Sequence, residues 1–95
     1  MQFVTEVVDG HTFEIEKRWS FHGKRGCRIR IHGYDPPSLD GPAGELARNN
    51  LLMLILGSQV ELRAFHGVVD GSLVCDVYFH GRPLAEACAA FVRSR

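Results

Sequence analysis

Several things are missing from this chain, and each absence narrows the reading. The longest apolar run, residues 51–56, is six residues, against the ~20 that a membrane-spanning helix needs. Cysteine pairs are missing too. Cys27, Cys75 and Cys88 stand far apart, which argues against a zinc-finger spacing and a disulfide framework and reads as reduced, buried thiols. No basic-then-apolar leader opens the sequence, so the expected location is cytoplasmic. Repeats, low-complexity tracts and linkers are absent, and 95 residues suit one domain over 1–95 with a modest core. Neither sign of charge is in excess, with 11 basic and 11 acidic residues. Their distribution is uneven, however. Residues 17–30 hold Lys17, Arg18, Lys24, Arg25, Arg28 and Arg30 and no acid, which leaves a net of −6 elsewhere. A neutral protein with one basic segment can still bind polyanions through that segment.

The patterning that is present reads as short strands with one central helix. Residues 2–8 are rich in β-branched side chains, 11–17 alternate, and 27–31 alternate again, with Cys27, Ile29 and Ile31 against Arg28 and Arg30. Residues 19–25 read as a hairpin tip with Gly23 in the turn, and 33–42 as loop. A helix is expected over 43–56, with Pro42 in its first turn and Gly57 at its C-terminal cap. Strands over 59–65 and 73–79, a turn over 66–72 and an alanine-rich helix over 84–92 complete the chain. Five strands with a helix between the third and fourth is the connectivity of an OB-fold barrel, a mainly β architecture with helices (α+β).

Two segments carry a more specific signal. Val8-Asp9-Gly10-His11-Thr12 and Arg30-Ile31-His32-Gly33-Tyr34-Asp35-Pro36-Pro37-Ser38 resemble the active-site segments of the staphylococcal-nuclease-like (thermonuclease) family. That family reads Val-Asp-Gly-Asp-Thr and Arg-x-x-Gly-x-Asp-x-Pro-Glu. The likeness extends over about residues 3 to 90 and includes the helix end and following strand around Leu51–Leu62 and the Asp70-Gly71-Ser72-Leu73 turn. It implies a five-stranded barrel. It also implies phosphodiester hydrolysis, with a calcium ion held by carboxylates, a Glu that activates water and two Arg residues that clamp the phosphate.

Carried over residue by residue, the resemblance places Asp35 at one metal carboxylate and the Pro36 carbonyl at a metal oxygen. Asp9 falls at a nearby acid and Arg30 at the first phosphate contact. His11 replaces the other metal carboxylate, Ser38 the water-activating Glu, and Ser72 the second phosphate Arg. Calcium prefers oxygen ligands, and a serine has no basic group at neutral pH. Losing a general base alone costs about 10²–10⁴ in rate. The leading expectation is therefore a domain that kept the fold and lost the catalysis, with no cofactor: a noncatalytic module for single-stranded nucleic acid or for another protein. The alternative is a divergent metal-dependent nuclease on Asp9, Asp35 and Arg30. In that case His11 helps to hold Mn²⁺ or Zn²⁺, with His32 nearby; the competing reading of His11 is a plain hydrogen bond to Asp35 with no metal.

Two surfaces are expected to matter for partners. Lys17, Arg18, Trp19, Lys24, Arg25 and Arg28 interleave cations with aromatic residues, which suits phosphates and stacked bases. In the helix, Leu51, Ile55 and Ala47 share a face, whereas Leu52 and Met53 point away from it. That second face is a candidate surface for self-association, and an oligomer with no role for the barrel surface is a third reading. His22, His66 and His80 fall in or beside predicted turns and are expected to be solvated.

Overall fold

The computed structural model describes residues 1–93. Five strands, β1 (Gln2–Asp9), β2 (Thr12–Phe21), β3 (Lys24–Ile31), β4 (Gln59–Val69) and β5 (Ser72–Phe79), form a closed mixed barrel. Helix α1 (Pro42–Ile55) lies between β3 and β4. A two-residue β6 (Arg82–Pro83) pairs with β5, and α2 (Leu84–Arg93) follows. The strand order is β3-β2-β1-β4-β5, and a parallel β3–β5 pairing through Ile29↔Leu73 and Ile31↔Cys75 closes the ring. This is the OB-like architecture that the element order implies.

Alternation drives the assembly. Val4 and Val7, Phe13 and Ile15, Ile29 and Ile31, and Leu73, Cys75 and Val77 point inward and are buried, joined by Val60. Leu51 and Ile55 of α1 and Leu84 and Cys88 of α2 complete the same core. Three tight turns, His22-Gly23, Asp70-Gly71 and His80-Gly81, place both residues at positive φ, the backbone that a type I′ hairpin demands and that glycine supplies without strain. Pro42 opens α1, Glu45 sits favourably in its first turn, and Gly57 at φ 77 follows its end.

The hairpin tip expected over 19–25 contracts to His22-Gly23, because β2 runs to Phe21 and β3 begins at Lys24, so Trp19 lies in a strand. β4 runs to Val69, and the turn expected over 66–72 contracts to Asp70-Gly71. β6 is an element that the sequence reading does not contain. The β4 extension has a local cause: the β4–β5 ladder shifts register between Arg63 and Phe65 and again between Phe65 and Gly67. Ala64 there takes φ 49 and Gly67 φ 136. Such bulges interrupt the period-2 pattern and hide the strand from it.

Candidate functional site

The two motif segments meet at one end of the barrel. Asp9 ends β1 and His11 precedes β2. The Asp9 carboxylate accepts the His11 backbone N–H at 2.9 Å, the side-chain turn that aspartate favours. The His11 carbonyl accepts the Ile31 N–H at 2.8 Å, which ties the turn to β3. Gly10 is required where it stands, because a Cβ there would lie 2.6 Å from the Pro36 side chain and 3.0 Å from Ala47. The turn, the loop after β3 and α1 are thereby packed together.

His11, Arg30, His32, Tyr34 and Asp35 line an open concavity of about 440 Å³, whereas Asp9, Pro36 and Ser38 are not among its lining residues. Their orientations do not make a calcium site. The His11 Nδ1 lies 3.1 Å from the Tyr34 carbonyl, which can only accept, so Nδ1 carries the hydrogen. Nε2 lies 3.8 Å from the Asp9 Oδ1. Asp9 is thus turned to His11 and its own turn, and Asp35 is exposed. Asp9, His11 and Asp35 do not form a metal-competent group of three, and neither does His11 pair with Asp35 among the described residues. With an imidazole in place of an oxygen ligand, the residues do not fit the hard cation that the family resemblance implies.

Arg30 stands between Thr12 of β2 and Val74 of β5 in the ladders. Its Nε and the Thr12 Oγ1 are buried without hydrogen-bond partners, while the residue as a whole lines the concavity. Ser72, aligned with the second phosphate Arg, is buried in the barrel, and the turn beside it is Asp70-Gly71. No arginine occupies that place. Burial pushes the Tyr34 phenol above its ordinary value, with a smaller contribution from Cys88.

The basic hairpin is solvent-facing at Lys17, Arg18, Lys24 and Arg25, and none of these has an ion-pair partner among the described residues. Arg28 differs: it bridges Glu14 at 3.0 Å. Trp19, expected to stack on bases, is only 8% exposed. Its indole N–H donates to the Arg28 carbonyl at 2.9 Å, and its ring covers Gly26, where a Cβ would come within 2.9 Å of it. Trp19 is a wall of the hairpin and not a platform. The available rings are Phe21 and Phe65, in edge contact at 6.0 Å. Phe65, which the sequence reading passed over, is 50% exposed and lines a groove with Trp19, Ser20 and Leu62.

On α1, Leu52 is partly buried against the core, whereas Met53 is 84% exposed. His66, expected to be a solvated turn residue, lies in β4 and reaches Asp76. It forms with His32 and Asp76 a cluster that the sequence does not announce, because its members come from β4, β5 and the turn that follows β3. Among the described residues, no helix is long and apolar enough to cross a membrane. No family model matches the chain, and no curated protein matches it.

Proposed function

We propose that this chain is a noncatalytic, staphylococcal-nuclease-like barrel that binds single-stranded nucleic acid through the β2–β3 hairpin. The observation that carries the reading is the set of four exposed cations on the β2–β3 hairpin, Lys17, Arg18, Lys24 and Arg25, none with an ion-pair partner among the described residues, with Lys24 opposite Phe21 of the Phe21–Phe65 ring pair. Cations supply the phosphate term, and rings offer faces to bases of any sequence. Arg30, which lines the concavity, carries a further positive charge on the motif side of the barrel. Against hydrolysis stand the imidazole at His11, the hydroxyl at Ser38 and the buried Ser72.

Fluorescence anisotropy with a labelled single-stranded oligonucleotide tests this reading. Four phosphate contacts predict that affinity falls about 50-fold between 50 and 200 mM salt, from a slope of roughly 0.7 per contact. Reversing two charges, Lys24→Glu with Arg25→Glu, should weaken binding by at least about tenfold. Binding that ignores salt, or survives the double reversal, contradicts the assignment.

A further inference from the structure

The cluster of His32, His66 and Asp76 has a construction of its own. The parallel β3–β5 pairing brings the end of β3 beside Asp76, and the His32 N–H donates to the Cys75 carbonyl at 2.9 Å. From the other side, β4 delivers His66 out of the double register shift between Arg63 and Gly67. That shift places Ala64, a residue with a Cβ, at φ 49, a backbone that L-residues other than glycine adopt at a cost and that gathers at functional sites. Strands β4 and β5 and the turn residue that follows β3 thus contribute one donor each. The Asp76 Oδ1 lies 3.3 Å from His32 Nδ1 and 3.1 Å from His66 Nε2. The two imidazoles stack with centroids 3.8 Å apart and planes 23° apart, so both present a nitrogen to the same oxygen. All three ligand atoms fall within 4.8 Å of one another.

We propose that His32, His66 and Asp76 form a binding site for a zinc-class divalent cation. Zinc bonds to nitrogen and oxygen of ~2.0–2.2 Å set tetrahedral ligand atoms roughly 3.3 Å apart. The two Asp76 separations already match that edge; the two ring nitrogens lie within 4.8 Å of each other, and the stacked rings must tilt apart for their lone pairs to converge on one ion. The donor set of two imidazoles and one carboxylate selects Zn²⁺ or a similar first-row ion over Ca²⁺ or Mg²⁺, which take oxygen. Competing charge has been drawn away. Arg63 faces Asp76 in the β4–β5 register, yet it bridges Glu61 and lies over the Tyr78 ring at 4.2 Å. Asp76 is left with the two histidines as its ion-pair partners among the described residues. A concavity of about 200 Å³ beside His32 and Asp76, with Glu86 on its wall, leaves room for a water as the fourth ligand.

The test is calorimetric titration of the full, tag-free chain with ZnCl₂, alongside thermal unfolding with and without the metal. One equivalent of Zn²⁺ should bind, with a raised unfolding midpoint. His66→Ala and His32→Ala should each weaken binding by at least about tenfold, since even outer-shell losses cost that much. Both histidines are exposed, so these variants should fold, and unfolding curves without metal verify it. Asp76→Asn provides a third variant of nearly the same shape. His22→Ala and His80→Ala should bind as the parent does. Absence of saturable binding, binding undiminished in His66→Ala, or binding lost in His11→Ala would each overturn the assignment.

Discussion

Two concave regions flank the end of β3, and they differ in how their polar groups are supplied. In the motif pocket, Asp9, His11 and Asp35 come from a turn and a loop, and backbone groups hold the first two: Asp9 accepts from the His11 N–H, and His11 donates to Tyr34. In the cluster, Asp76 and His66 come from the neighbouring strands β5 and β4, His32 directly follows β3, and both histidines meet the Asp76 carboxylate. The region that looks chemical in the sequence has its donors dispersed, and the region that looks solvated has them convergent. Motif spacing is a property of the chain, whereas convergence is a property of register. On the proposals above, cation binding falls in the second region and not in the first.

The contrast can be broken most severely from below. Phe13 is fully buried beneath the barrel wall that both regions share. Phe13→Ala should cost about 3–5 kcal/mol in urea unfolding and abolish zinc binding and oligonucleotide binding together. A smaller loss would mean that the site relaxes around the cavity. Gly44→Ala acts on one region only. Its new Cβ would collide with the Ser38 carbonyl and come 2.7 Å from the Leu39 Cα, so the loop carrying Asp35 must move. A glycine-to-alanine change inside a helix ordinarily gains about 1 kcal/mol. Here it should instead cost about 1–3 kcal/mol by overpacking, with zinc affinity unchanged. The smallest effect concerns the thiols. Burial pushes Cys75 up to about 12 and Cys88 up to about 11. Both stay protonated at pH 8, below those values, and only the half-exposed Cys27 should react promptly with a thiol reagent. Zinc should leave that pattern unchanged, and protection of Cys27 by zinc would draw the thiol into the metal site.

Much of the frame was legible in the sequence. Alternation at Phe13/Ile15 and Ile29/Ile31, the Pro42 start and Gly57 end of α1, and the Gly23 and Gly81 turns all reflect local physics, and the structure keeps them. The parts that escaped depend on pairing. β4 continues past Phe65 because two bulges absorb the broken alternation, and those bulges turn His66 toward Asp76. Trp19 reads as an exposed ring among cations, but Gly26 across the hairpin offers a bare strip of backbone for its ring to cover. Leu52 and Met53 are adjacent and equally apolar, and only the position of α1 against β1 and α2 decides that one is packed and the other exposed. In the site, the identities of Arg30, Asp35 and His11 were legible. The direction of the His11 ring was not, because the Tyr34 carbonyl that fixes it lies 23 residues away.

The central claim is that this barrel holds single-stranded nucleic acid without cutting it. The most direct measurement is a time course of fluorescence anisotropy, with a labelled oligonucleotide and the full chain in Ca²⁺, Mg²⁺, Mn²⁺ or Zn²⁺. The expected trace rises on mixing and stays level for hours in every metal. A rise followed by decay to the value of short fragments, abolished in Asp35→Ala, would contradict the account, as would a trace that never rises.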